Sequence, residues 1–156
     1  MGLGASFRTV LLSHGVVSFD TMVVIYHFED HPKYASLTQL LFEAIDRGDL
    51  IAQISVLVAG EVLTGPKKAG DQEMLLHYRH VFSSYPNLEL LPATMQVMEL
   101  ASDLRTRYNL KTPDAIHLGT ALCHGAQAFV TNDEQMRQVG AEGLEVLILS
   151  DFVKAG

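Results

Sequence analysis

A single cysteine, Cys123, is the only thiol in the 156 residues, so no intramolecular disulfide can form. That fits a reducing, cytoplasmic setting. Its place in the apolar run Ala121-Leu122-Cys123 reads as a small core residue rather than a nucleophile. No apolar run approaches the roughly 18 residues that a membrane span needs. Leu11-Leu12 is interrupted by His14-Gly15 too soon for the core of a signal peptide. No membrane association is expected. Basic residues are also scarce: 11 Lys and Arg stand against 18 Asp and Glu, a formal net charge of −7. This argues against nucleic-acid affinity supplied by a broad basic surface, although bound cations can supply positive charge locally. There is no internal repeat, low-complexity tract, Gly-rich phosphate loop or long linker. What remains is an ordinary compact composition, 48% hydrophobic and 19% charged, long enough to bury a core.

Short apolar runs alternate with helical patterns along the chain. Strands are expected at Val16 to Phe19, Ile51 to Ile54, Leu88 to Leu91, Ala128 to Thr131 and Glu145 to Leu149. The clearest helix begins at Ser36, where Leu37, Leu40, Leu41, Ala44 and Ile45 recur at helical spacing before Gly48. Ser55 is expected to cap a helix that carries Glu61 and ends at Gly65-Pro66, with Lys67 and Lys68 just beyond. Further helices are expected at Asp71 to Ser84 and after Pro92. Another opens at Thr112-Pro113-Asp114 with an N-cap, a proline and an acid in its first turn. A short helix from Asp133 to Val139 and a final turn from Ser150 to Lys154 close the reading. The alternation predicts a three-layer α/β/α fold around a central, mainly parallel sheet of about five strands. Residues 1–15 read as an N-terminal extension with a short helix, and residues 16–156 as one domain.

Four acids stand at the ends of apolar elements: Asp20, Glu61, Asp114 and Asp133. Singly, Asp114 could complement a helix dipole, Asp133 could shape a turn and Glu61 could be a solvated helix residue. Asp20 directly follows Val16-Val17-Ser18-Phe19 and needs a partner if it is buried. Ligands of open parallel sheets bind beyond the carboxyl ends of the strands, so all four can face one cleft if the first, second and fourth strands are neighbours. Clustered carboxylates repel one another unless a cation joins them. Mg²⁺ or Mn²⁺ suits such oxygen donors, and a pair of these ions can activate water and stabilise a leaving oxygen in phosphodiester cleavage. Zn²⁺ is disfavoured by the lack of a Cys/His ligand pattern. His117 shares a helix face with Asp114 and is read as a satisfied core histidine, and His77 with His80 as a solvated pair.

At these residues the chain resembles the PIN-domain ribonucleases, in particular the VapC-like toxins. The resemblance is carried by Phe19-Asp20-Thr21, by Ser55 with Glu61 six residues on, by Asp114-Ala115-Ile116-His117-Leu118-Gly119-Thr120-Ala121 and by Val130-Thr131-Asn132-Asp133. It implies a PIN-like fold and a Mg²⁺- or Mn²⁺-dependent endoribonuclease whose catalytic and metal-binding carboxylates are Asp20, Glu61, Asp114 and Asp133. It also implies that Thr131 and Thr21 hydrogen-bond and orient those carboxylates. An RNA substrate, a cognate antitoxin and a homodimer follow from the same likeness, with the helices at 36–47 and 71–85 as candidate partner faces. Lys67, Lys68 and Lys111 are candidate RNA contacts. The chain departs from the toxins in the residues that precede its first acid, and in Gln135-Met136, where the family often has Asp-Phe. A haloacid-dehalogenase phosphatase is disfavoured by Met22, and a receiver domain by the position of Lys154. A serine hydrolase is disfavoured because Ser13 and Ser55 lack a base. The rival reading is a non-catalytic PIN-like module that binds protein through an acidic cleft.

Overall fold

The structure, a computed structural model, describes residues 3–153. Its centre is β1 (Val16–Phe19), in which Val17, Ser18 and Phe19 are all fully buried, so neither face of the strand meets solvent. On one side of it lie β2 (Ile51–Ser55) and then β3 (Leu88–Leu91); on the other lie β4 (Ala128–Thr131) and β5 (Glu145–Ile148). The order is β3-β2-β1-β4-β5. Every pairing is parallel, with Val17 opposite Ala52 and Phe19 opposite Val130. The sheet is thus wholly rather than mainly parallel, as helical crossovers on both faces require.

Those crossovers are α2 (Thr21–Phe28), α3 (Ala35–Asp46), α4 (Val56–Ala69), α5 (Gln72–Ser84), α6 (Met95–Tyr108) and α7 (Thr112–Cys123). Helix α1 (Leu3–Leu12) precedes them. One core lies where Val17, Phe19, Ile54 and Val130 meet Leu37, Leu41 and Ile45 of α3, and Phe7 and Leu11 of α1. The second lies where Phe129 meets Ala115 and Leu118 of α7, Leu104 of α6, and Met136. Strand alternation explains the split: on β4, Ala128 and Val130 face the first core and Phe129 the second. In α3 the buried stripe also takes in Thr38 and Phe42, whereas Leu40 is half-buried. Most of the apolar side of α3 is therefore spent on the core. Helix α5 leaves Leu76 63% exposed.

Three expected boundaries move. Helix α4 continues through Pro66 to Ala69, so Lys67 and Lys68 form its last turn. Proline removes one helical donor, but Pro66 is buried and the helix closes at Gly70 (φ 68°), where the Gly70 and Asp71 amides donate to the Lys67 and Pro66 carbonyls. Helix α7 takes Lys111, not Thr112, as its N-cap, so Thr112 and Pro113 occupy the first turn, where the ring's fixed φ fits. Beyond Asp133 the chain forms a 3-10 helix, Glu134–Glu142, longer than the expected helix. A second 3-10 helix, Leu149–Phe152, stands at the expected final turn, and Lys154 lies outside the described residues. No helix among the described residues is long and apolar enough to cross a membrane.

Candidate active site

Because the strands run parallel, β1, β2 and β4 end at one edge of the sheet, and the first acid sits where β1 stops. Asp20 is the N-cap of α2 and is only 7% exposed. Its Oδ2 accepts from Thr131 Oγ1 at 2.6 Å. Its Oδ1 is buried with no hydrogen-bond partner among the described residues. Burial pushes the Asp20 carboxyl up to about 6, against the opposing pull of the Thr131 hydroxyl, His117 and the Val23 amide, and Asp114 adds repulsion. A buried carboxylate oxygen left without a donor is a strained arrangement that a cation would relieve.

Glu61 reaches this edge from the second turn of α4, whose first turn is held by Ser55 accepting from the Leu57 amide at 3.1 Å. Glu61 Oε1 accepts from Thr21 Oγ1 at 2.6 Å and lies 2.9 Å from His117 Nε2. The bond to His117 holds the Glu61 carboxyl below its ordinary value, with Thr21 assisting and partial burial opposing. His117 itself is buried, and its Nδ1 has no partner among the described residues. It was read from the sequence as a satisfied core histidine; only one of its two nitrogens is satisfied, and by a carboxylate. Its spacing of three residues from Asp114 placed it on the same helix face but gave no sign of its contact with Glu61, 56 residues away.

Asp114 stands half-buried in the first turn of α7. Burial raises its carboxyl, Asp133 and Glu61 add repulsion, and His117 and Lys111 pull it back down. Asp133 caps the following 3-10 helix through Oδ1, which accepts from the Gln135 amide at 2.9 Å. The Asp133 amide in turn donates to Thr131 Oγ1 at 3.1 Å. Thr131 therefore ties two of the acids together, and Thr21 is tied to a third.

The four acids border a continuous depression. Asp20, Asp114 and Asp133 line a cleft of about 370 Å³ together with Met22, Tyr26, Asn132 and Glu134. A neighbouring recess of about 160 Å³ is lined by Asp20, Thr21, Met22, Glu61, Asp114 and His117. The lysines are placed less evenly. Lys111 abuts Asp114 at the head of α7, whereas Lys67 and Lys68 sit at the far end of α4 and line neither cleft. Met22 and Tyr26 carried no signal in the sequence, since each reads as one more apolar position of α2.

Whether the residues suit a divalent cation turns on their donor chemistry. The cleft offers carboxylate oxygens, one of them the orphaned Asp20 Oδ1, and no thiolate. Among the described residues no group of three His, Cys, Asp or Glu side chains is close enough to form a metal cage unaided. The fit to a hard cation such as Mg²⁺ or Mn²⁺ rests on the donor chemistry alone, carboxylate oxygens with one of them unpartnered.

Comparison with known proteins gives the family and the fold. The PIN domain family model matches residues 17–142, and no curated protein matches the sequence. A toxin–antitoxin complex from Klebsiella pneumoniae has a similar chain at 25% identity and TM-score 0.63, covering 82% of this chain and 94% of that one. VapBC2 from Rickettsia felis, solved with a promoter DNA fragment, is similar in fold at 20% identity and TM-score 0.66, covering 84% and 98%. VapC20 from Mycobacterium tuberculosis, described as a Sarcin-Ricin loop cleaving toxin, is similar in fold at 15% identity and TM-score 0.65, covering 80% and 95%. The chain belongs to the PIN domain family, with the fold of the VapC-like toxins.

Proposed function

We propose that this protein is a Mg²⁺- or Mn²⁺-dependent endoribonuclease and the toxin of a toxin–antitoxin pair. The observation that carries the reading is Asp20. It is an acid at the end of the central strand, almost wholly buried, with one oxygen unpartnered and its carboxyl raised, in a cleft shared with Asp114 and Asp133. A group that costs this much to bury is kept where something binds it.

Asp20, Asp114 and Asp133, with Glu61 in the adjoining recess, are the residues that would hold the cation. When bound, such an ion supplies charge that neutralises the phosphodiester and lowers the barrier to attack by water. The protein's own groups do the rest. Thr131 fixes the Asp20 rotamer through a 2.6 Å bond and holds the Asp133 backbone beside it. Thr21 and His117 both engage Glu61 Oε1, which leaves Oε2 free to accept a proton from water. Lys111, at the head of α7, offers a positive charge to an entering phosphate.

The antitoxin partner rests on likeness to relatives solved as toxin–antitoxin complexes. The homodimer and the cytoplasmic setting are part of the same proposal, and light scattering of the purified chain tests the former.

The decisive experiment is cleavage of RNA with Mg²⁺ or Mn²⁺, with and without EDTA, by the wild type and by Asp114→Asn. Cleavage should require the metal and be lost in the variant, whose melting temperature in EDTA should not fall. Full activity of Asp114→Asn, or cleavage unaffected by EDTA, would sink the mechanism. The rival, a binding module without catalysis, predicts no Mn²⁺-dependent rise in thermal stability, whereas an ion bound only by the native state must produce one.

A further inference from the structure

One wall of the carboxylate cleft is aromatic. Tyr26 lines it alongside Asp20, Asp114 and Asp133. The turn that follows α2 folds back over this ring: Asp30 adopts φ 53°, and the His31 amide donates to the Tyr26 carbonyl at 2.9 Å. His31 then meets Tyr26 edge-on with ring centroids 4.7 Å apart, and Tyr34 lies 5.0 Å from Tyr26 and 5.0 Å from His31. His31 Nδ1 accepts from the Lys33 and Tyr34 amides, at 3.1 and 3.2 Å, so its ring is locked with the proton on Nε2. Lys33 places its ammonium 5.7 Å from the centroid of the Tyr34 ring.

The hydroxyls separate this cluster from ordinary packing. Tyr78, Tyr85 and Tyr108 each spend the hydroxyl on a protein acceptor: Glu29, the Phe42 carbonyl and Glu142. Tyr26 and Tyr34 make no such bond among the described residues, although both rings are half-buried. Neither hydroxyl is among the buried unpartnered atoms, so both face solvent, and one belongs to the ring that walls the cleft.

We propose that Tyr26, His31 and Tyr34, flanked by Lys33, form a stacking ledge for an unpaired nucleobase of the strand whose phosphate enters the carboxylate cleft. The inference rests on the nuclease reading above and adds to it a base-binding subsite beside the carboxylates. Aromatic rings take bases whose faces are free, and duplex bases have theirs covered by neighbours. The ledge also supplies attraction that does not depend on net charge, which a protein at −7 cannot draw from a basic surface. The Tyr26 and Tyr34 hydroxyls and His31 Nε2–H are available to hydrogen-bond a base edge, and Lys33 to a neighbouring phosphate.

The chain contains no tryptophan, so Tyr26→Trp introduces a single reporter at the ledge. On stopped-flow mixing with a short single-stranded oligoribonucleotide, its fluorescence should be quenched before turnover. The same oligonucleotide made abasic beside the cleavage site should quench it far less. For the wild type, the abasic substrate should raise KM about 10-fold, the scale of one lost base–aromatic stack. Tyr26→Leu should raise KM on the intact substrate by the same factor and lose nothing further on the abasic one, with kcat little changed, while Tyr26→Phe, which keeps the ring, should keep most of the difference between the two substrates. If the wild type cleaves both substrates equally and the reporter is not quenched, the ledge is overturned and the nuclease reading stands. If no RNA is cleaved under any metal, both fall. Should Tyr26→Leu fail to fold, the comparison of the two substrates on the wild type decides alone.

Discussion

His117 Nε2 lies 2.9 Å from Glu61 Oε1, a contact that joins a buried side chain of α7 to a carboxylate of α4 that is 37% exposed. The two residues are separated by 56 positions in sequence, so only the folded sheet brings them together.

Removing the ring should therefore change Glu61 before it changes anything else. The folded value of Glu61 is depressed, so its contribution to stability is present above its unfolded value near 4.5 and is lost as pH falls through the folded one. In His117→Ala that acid-side loss should shrink, because the first cause of the depression is gone. The variant should also be less stable at neutral pH by about 2 kcal/mol, the scale of a lost buried hydrogen bond. Urea midpoints measured from pH 3 to 7 would show both effects; an unchanged acid profile would mean that the contact contributes nothing.

Asp20 should behave in the opposite sense. Its folded value, about 6, lies above its unfolded value of 3.8, so the fold favours the protonated form. That contribution is complete below 3.8 and lost as pH rises through about 6. The gap corresponds to about 3 kcal/mol. In EDTA, Asp20→Asn should therefore be more stable than the wild type at pH 7.5, and the advantage should fade toward pH 4. With Mn²⁺ the order should reverse, since only the wild type gains from the ion. A variant less stable than the wild type in EDTA at pH 7.5 would show that Asp20 is not buried as a charge.

How far these features were legible from the sequence follows from their range. Val16 to Phe19 and Ala128 to Thr131 are mostly apolar runs buried on both faces, which is what a central parallel strand requires, and the acids just beyond them stand out. The acids could be named because chain order and strand ends are local facts. The partner of His117 and the rings around Tyr26 depend on neighbours 56 residues away or on a left-handed turn at Asp30, neither of which leaves a periodicity to read. Pro66 misled because a proline ends most helices; it does not end this one, since Gly70 provides the stop one turn later.

Two helical glycines make a matched pair. A Cβ on Gly119 would sit 3.1 Å from the Val97 carbonyl and 3.2 Å from the Ala101 amide nitrogen, so α6 and α7 pack backbone against backbone there. Gly119→Ala should cost about 1–3 kcal/mol, the price of overpacking, and should weaken the Mn²⁺-induced stabilisation because α7 carries Asp114 and His117. Gly60 on α4 has nothing within 4 Å, so Gly60→Ala should stabilise by roughly 0.5–1 kcal/mol through helix propensity alone. Equal effects of the two substitutions in urea denaturation would contradict the close approach of α6 and α7.

The last prediction concerns α1, which precedes the residues matched by the family model. Phe7 is fully buried, packs 5.0 Å from the Phe152 ring and belongs to the same cluster as Val17 and Phe19 of the central strand. A helix that merely preceded the domain would bury no side chain in that cluster. If α1 is part of the cooperative unit, Phe7→Ala should remove about 3–5 kcal/mol, the usual scale for deleting a buried aromatic ring. Circular dichroism and tyrosine fluorescence should still report one coincident unfolding transition. A loss below about 1 kcal/mol, or a separate early transition for the helix, would show that α1 docks on a core that is complete without it.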